Sequence, residues 1–301
     1  MNNHHLSFEF FPPKTEVGRL KLAKVHAKLK SLNPEFFSVT YGAGGSTKTF
    51  TKDTVLDIQK KGSNAVPHVS VCADDTPSLF ELLNEYKSAG ISKIVALRGD
   101  LPSGMGGTKQ LVYANELVEL IKDHFGDSFE IFVAAYPEIH PESENYQKDI
   151  YWLNKKFEAG ASRGITQYFY NSNSYLYFVE QCKKSGIEAP IIPGIMPITN
   201  YHNLVRFSEN CGADIPRWIQ KRLHQYSDDA ESIKDFGLDV VTHLCEELLE
   251  NNGIRQESIT NSFSEINGVR KIRKKVFSIE GKGDLYNRQF THFEIELDIE
   301  L

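Results

Sequence analysis

Short apolar runs alternate with longer amphipathic stretches along this chain. Runs at Ser7–Phe11, Phe36–Thr40, Val66–Val71, Lys93–Leu97, Glu130–Ala135, Gly164–Phe169 and Pro190–Ile195 read as strands. They begin about 26 to 37 residues apart, the length of one βαβ unit. Between them, Leu22, Val25, Leu29 and Leu32 hold helical spacing, and Thr76-Pro77 supplies an N-cap and a first-turn proline for a helix stopped at Gly90. Further helical stretches run over Leu111–Phe125, Asp149–Ala159 and Ser174–Ser185, each followed at once by glycine, which takes the left-handed conformation that ends a helix. Seven strand-then-helix repeats predict an α/β fold with a parallel sheet. Polar residues at the C-terminal ends of the strands favour a closed (β/α)8 barrel, the TIM barrel, over an open sheet.

After the seventh strand the rhythm breaks. Helices are expected over Asn203–Trp218 and Asp228–Leu249, and an eighth strand is then due. The nearby candidate, Glu257–Phe263, is polar and rich in Ser and Asn, a poor strand by composition. The barrel is therefore bounded at 1–253, with 254–301 set apart as an atypical C-terminal segment and closure left open. That segment holds a basic cluster, Arg270 to Lys275, and a strict alternation of Phe293, Ile295, Leu297, Ile299 and Leu301 with acidic residues. A hairpin and a solvated extension both fit it.

Composition narrows the function classes. With 40% hydrophobic and 25% charged residues among 301, the chain is an ordinary globular one, and a net charge of -6 gives no overall field toward phosphate backbones or anionic lipid. Nucleic acid and membrane are not expected partners, and no stretch approaches the roughly 18 apolar residues of a membrane span. Cys72, Cys182, Cys211 and Cys245 are widely spaced and form no CxxC pair, so neither a disulfide framework nor a zinc cluster is expected, and a cytoplasmic location fits.

Several residues carry chemistry worth weighing. Period-2 alternation puts Glu9 on the strand face shared by Ser7 and Phe11, a face that points into a barrel. A carboxyl held among aromatic rings loses hydration and keeps its proton to higher pH, as a general acid must. A structural carboxylate paired inside the barrel is the equal alternative. Asp100 falls just past Ile94–Leu97, where barrels place reactive groups, although an ordinary Arg-Gly-Asp turn also explains it. Gln167 offers an amide able to donate and accept to a heterocycle, or to the next strand. The glycines of Thr40-Tyr41-Gly42-Ala43-Gly44-Gly45-Ser46 permit close backbone approach to a ligand, or simply a flexible loop. No G-x-G-x-x-G follows the first strand and no GxxxxGK[ST] occurs, so a Rossmann site and a P-loop are unsupported. His68 and His140 belong to no metal motif, and no metal site is expected; polar contacts to a ligand suit them better.

Seven motifs recur in order at successive strand ends: FEFFPPKT, SVTYGAGG, PHVSV, ALRGDLP, AAYPEIHPES, KKFEAGASRGITQYFYN and IIPGIMPITN. In this order, over about residues 6–253, the chain resembles the methylenetetrahydrofolate reductases, in their compact bacterial form. The resemblance implies a flavin-dependent barrel enzyme that reduces 5,10-methylenetetrahydrofolate to 5-methyltetrahydrofolate by ping-pong hydride transfer, with FAD as cofactor and NADH or NADPH as donor. It also implies a homo-oligomer in one-carbon metabolism. Family members carry an eighth strand resembling HFYTLN followed by Arg, where this chain has Glu257–Phe263.

By the same resemblance, Glu9 matches the general acid and Asp100 the carboxylate that stabilises the cationic folate, and both are placed against substrate. Gln167 matches an amide that contacts the pterin and the nicotinamide, and Phe207 an aromatic that packs on either. Thr40, Tyr41, Ala43, His68, Arg98, Gly99, Asp100, Tyr113, Ala114, Tyr136, His140, Asp149 and Lys156 match FAD-binding positions. Two other readings stay open: a non-catalytic flavin- or folate-binding protein with a disabled second half-reaction, and another TIM-barrel enzyme acting on a phosphorylated substrate.

Overall fold

A computed structural model gives the structure of the chain, described over residues 6–41, 48–70, 76–98, 113–227, 229–250 and the backbone of 259–263. The strands β1 (Leu6–Phe10), β2 (Phe36–Val39), β3 (Ala65–Val69), β4 (Lys93–Ala96), β5 (Glu130–Ala135) and β6 (Arg163–Thr166) pair in sequence order, all parallel. The seventh expected strand is broken at Pro193 into β7 (Ile191–Ile192), which pairs with β6, and β8 (Gly194–Ile195). Proline has no N–H to give the ladder, so the strand is interrupted there. The last strand, β9 (Ile259–Phe263), pairs with β8 on one side and with β1 on the other, from Leu6↔Ile259 to Phe10↔Phe263. With β7 and β8 as two halves of one strand, the sheet closes on itself. The polar run that made a poor strand by composition is thus the closing strand, and it lies beyond the boundary at 253.

Helices α1 (Glu16–Lys30), α2 (Lys48–Lys60), α3 (Thr76–Ser88), α4 (Ala114–Phe125), α5 (Tyr146–Glu158) and α6 (Ser172–Lys184) alternate with the strands. The single helix expected over Asn203–Trp218 is two, α7 (Tyr201–Cys211) and α8 (Arg217–Tyr226). Gly212 takes φ +72° at the end of α7, and Pro216 starts α8, so the periodic pattern conceals a stop and a restart. The long helix α9 (Ala230–Glu250) follows.

Alternation sorts the strand residues into two cores. Phe8, Phe10, Phe37 and Val39 face outward and join the helices in the main core; the Phe37 ring lies 5.7 Å from Phe8, 5.4 Å from Phe10 and 4.6 Å from His26 of α1. Phe36, Val66, Val95, Phe132, Ile165 and Ile192 form a separate apolar belt inside the barrel. Two residues before the belt on their strands, Lys93, Glu130 and Arg163 meet Glu35 in a ring of ion pairs at the N-terminal end. Lys93 reaches Glu35 at 2.8 Å and Glu130 at 3.3 Å, and Arg163 reaches both at 3.0 Å. Both cations also lie over the Phe132 ring, at 5.8 and 5.5 Å. Two residues past the belt, three strands again present polar groups, Ser38, His68 and Gln167. Glu9, the register partner of Ser38, joins them.

The broken seventh strand fits because position 194 lacks a side chain. Gly194 donates its N–H to Thr166 Oγ1 at 2.8 Å, and a Cβ there would lie 2.2 Å from the Thr166 carbonyl oxygen. Backbone cannot yield like a flexible side chain. Gly194→Ala is expected to lower unfolding stability by about 2 to 3 kcal/mol; a denaturant midpoint equal to that of the unaltered chain would contradict this close approach.

Candidate functional site

At the C-terminal mouth of the barrel the first three strands bring polar side chains together. Register pairs Glu9 with Ser38. His68, two positions beyond the belt residue Val66, is buried, and its Nε2 stands 3.4 Å from Glu9 Oε2. Burial lowers the His68 pKa, while the charge of Glu9 pulls the other way more weakly, so the ring is neutral around pH 7. Among the described residues Nε2 makes no hydrogen bond, and the same is true of Ser38 Oγ and Thr40 Oγ1 nearby, all three buried. An unsatisfied buried polar atom costs roughly 1–3 kcal/mol. Three on neighbouring strands of one wall are the kind of exception that a bound polar group explains.

The aromatic neighbours of Glu9 along the sequence are not its neighbours in space. Phe8 and Phe10 turn outward to the helices, and the carboxyl is set against His68 and the polar wall instead. The side chain of Glu9 is 17% exposed, open to the mouth without being on the surface.

A second polar group gathers around the ends of β4 and β5. The carboxylate of Asp149 accepts the backbone N–H of His140 at 2.9 Å, and His140 Nδ1 in turn accepts the N–H of Glu142 at 3.0 Å. That fixes the ring proton on Nε2. The His140 pKa is lowered, chiefly by burial, and that of Asp149 is raised by the same cause. The ring of Tyr136 packs edge-on to His140 at 4.6 Å. Arg98 is held by both carboxylate oxygens of Glu142, one contact at 2.7 Å. From α5, Lys156 donates to the Ala134 carbonyl at 2.8 Å; its ammonium end is enclosed, and burial brings its pKa down to about 8 despite the attraction of Asp149. Two cations, Arg98 and Lys156, thus stand near enough to repel each other, an arrangement that an anion would relieve.

The remaining expected residues are placed less closely. Gln167 donates its backbone N–H to Ala135 at 2.8 Å, and its side-chain oxygen accepts from Tyr168 at 3.0 Å, which leaves the amide NH2 end for other partners. Tyr113 is 56% exposed at the start of α4, its N–H bonded to Glu116, and Ala114 behind it is buried. Phe207 lies partly buried on α7 under the guanidinium of Arg206, 5.3 Å from its ring. Tyr41 ends the described part of its loop. Ala43, Gly99 and Asp100 lie outside the described residues. Ser38 and Glu142 escape a reading by sequence, although each stands inside a motif, SVTYGAGG and AAYPEIHPES, and strand register with Glu9 points to Ser38. Among the described residues no group of three or more His, Cys, Asp or Glu side chains is placed to hold a metal, and no helix is long and apolar enough to cross a membrane.

A family model described as methylenetetrahydrofolate reductase matches residues 1–259. The 5,10-methylenetetrahydrofolate reductase of Escherichia coli (strain K12) is 40% identical over 253 residues, covering 83% of each chain. That of Buchnera aphidicola subsp. Acyrthosiphon pisum is 43% identical over 277 residues, 89% of this chain and 93% of the relative. Methylenetetrahydrofolate reductase (NADH) 1 of Arabidopsis thaliana is 37% identical over 261 residues, 81% of this chain and 43% of the plant protein. Among solved structures, an uncharacterized Clostridium thermocellum protein that binds two copies of 5-methyl-5,6,7,8-tetrahydrofolic acid superimposes with a TM-score of 0.60 at 17% identity, covering 89% of this chain and 91% of the other. At that identity the likeness is one of fold.

Lys156 gives the site a measurable signature. Its folded pKa of about 8 lies below the ordinary 10.5, so between those values the unfolded chain binds the extra proton and stability rises with pH. Below pH 8 the charged, enclosed amine costs on the order of 2 kcal/mol, allowing for its partial exposure. Lys156→Met is therefore expected to stabilise the chain by about that much at pH 7, with the gain shrinking above pH 8. Denaturant unfolding of both chains from pH 7 to 10 measures this; a gain that stays constant with pH contradicts the assignment.

Proposed function

The chain belongs to the methylenetetrahydrofolate reductase family, and from that membership and the polar mouth of its barrel we propose that it reduces 5,10-methylenetetrahydrofolate to 5-methyltetrahydrofolate. FAD is the cofactor in this reading, and NADH or NADPH the donor. The observation that carries it is the close approach of half-buried Glu9 to buried His68, flanked by the Ser38 and Thr40 hydroxyls, which find no hydrogen-bond partner among the described residues, at the open end of the barrel.

The fit to a flavin rests on those atoms. Among the described residues, Thr40 Oγ1 and His68 Nε2 are buried, polar and without a hydrogen bond, as suits the polar edge of a heterocycle. Arg98 and Lys156 offer positive charge to a pyrophosphate where the chain has no Rossmann loop. Tyr41, Ala43, Gly99, Asp100, Tyr113, Ala114, Tyr136, His140 and Asp149 complete the cofactor set. When bound, FAD supplies a relay for hydride, taken from the nicotinamide and passed to folate in turn, so that the two substrates alternate in one place.

The chain's own residues do the rest. Glu9 delivers a proton to N10 of the folate as the five-membered ring opens to a 5-iminium cation. A site screened from bulk water keeps that proton from being lost to solvent. Asp100 supplies negative charge to the cation. The amide of Gln167 and the ring of Phe207 receive two different flat heterocycles, for which adaptable hydrogen bonding and an apolar face serve better than fixed charges. His68 stands neutral beside Glu9 and adds no positive charge there.

The purified protein is expected to be yellow, to bleach anaerobically with NADH or NADPH, and to recover its colour with methylenetetrahydrofolate. Bleaching without recovery favours a binding protein with a defective second half-reaction, and a colourless protein that takes up no FAD overturns the proposal. Glu9→Gln is expected to leave bleaching by nicotinamide within about twofold while slowing recovery by folate roughly 10²–10⁴-fold, because only the second step needs the acid. Equal loss in both half-reactions contradicts that role.

A further inference from the structure

The loop after β5 contains a strained residue, and what holds it in place also holds α7. Ile139 has φ +71°, a left-handed conformation that a β-branched residue adopts only under constraint. The constraints come from both sides. Behind Ile139, the Glu138 carboxylate accepts the backbone N–H of Asp214 at 2.8 Å and a hydrogen bond from Ser174 near the start of α6. Ahead of it, the His140 N–H is fixed by Asp149, and Pro141 rests on Gly212, where a Cβ would come within 2.8 Å of the proline Cγ. Gly212 caps α7, its N–H bonded to the Ser208 carbonyl at 2.9 Å. The same helix carries Phe207 and sets Ser208 Oγ 3.0 Å from the hydroxyl of Tyr168, the residue after Gln167.

The geometry points to Glu138 as a positioning residue: its carboxylate tethers the segment after α7 to the β5 loop and so fixes the helix that carries Phe207 for substrate. This rests on the reading of Phe207 and of the reaction given above. A merely solvated carboxylate does not fit the surroundings. Glu138 is half-buried at a desolvation cost that raises its pKa, and the groups bearing on its charge are the Asp214 N–H, the Ser174 hydroxyl and, against it, the Asp214 carboxylate. Burial without a cation is tolerated where the hydrogen bonds serve a specific geometry. The tether also joins two sets of residues. One edge of the loop bears His140 and the Glu142 that holds Arg98; the other clamps the end of α7.

The test uses the full-length, FAD-loaded protein. Glu138→Ala is expected to raise the KM for methylenetetrahydrofolate about tenfold, the loss of one hydrogen bond to a charged group, while FAD content stays unchanged and kcat changes less than about threefold. Hydrogen exchange of the peptide spanning 201–214 is expected to speed up in the same variant. Glu138→Gln restores both, because its amide oxygen accepts the Asp214 N–H and its NH2 donates to the Ser174 hydroxyl. Glu138→Asp, which keeps the charge but falls one methylene short, raises KM in the same sense and decides the matter if the alanine variant does not fold. Unchanged KM and unchanged exchange in the folded variants overturn the tether while leaving the reductase reading intact. A glutamine variant that exchanges like the alanine one overturns it too. An unaltered protein that never reoxidises with folate defeats the reading of the reaction, and exchange alone then decides whether the tether holds α7.

Discussion

The apolar belt of Phe36, Val66, Val95, Phe132, Ile165 and Ile192 is the constraint from which the rest of the barrel follows. A strand shows every second side chain to the axis, so a belt at one level dictates that the residues two before and two after it also face inward. Before the belt the chain places Lys93, Glu130 and Arg163, which neutralise one another around Glu35. After it come Ser38, His68 and Gln167, with Glu9 on the neighbouring strand. One end of the cylinder is a satisfied floor, and at the other Ser38 Oγ, Thr40 Oγ1 and His68 Nε2 find no hydrogen-bond partner among the described residues.

That asymmetry sets the two ends apart electrostatically. The floor pairs two carboxylates with two cations and rests both cations on one aromatic ring, a stabilising arrangement with little capacity left over. At the mouth, desolvation is the largest influence on several titratable groups: it lowers the pKa values of His68, His140 and Lys156 and raises those of Asp149 and Glu138. Groups held away from their ordinary protonation behaviour in one region are a mark of functional sites, although structural networks produce them too.

Much of this was legible in the amino-acid pattern, for reasons that differ by element. The first six strands and the helices between them follow from short apolar runs, helical spacing and glycine stops, local signals that tertiary packing reinforces. The break within 203–218 was passed over although Gly212, at φ +72°, and Pro216 are ordinary stop and start signals: buried Leu204 and Ser208 lie before the turn, and Ile219 and Leu223 after it. The closing strand was obscured for a different reason: the partners on both sides, β1 and β8, determine its pairing, and pairing leaves no trace in a run such as Ile259–Phe263. At the site, Glu9 and His68 stand out by strand position, yet their contact depends on the stagger between strands. Ser38, Glu138 and Glu142 were passed over because ordinary polar residues in motif interiors declare their importance only through burial or through the partner they hold.

The clasp between Arg98 and Glu142 bears on selectivity. A bare guanidinium at the rim of a barrel attracts any small anion that diffuses past. This one already has both arms of its fork engaged by a carboxylate that is 61% exposed. An incoming anion must outcompete a tethered rival, which chloride or a lone phosphate does poorly and a ligand anchored elsewhere on the protein does well. In the proposed function, loading at this arginine is an exchange with Glu142, which favours a charge attached to something larger over an isolated one.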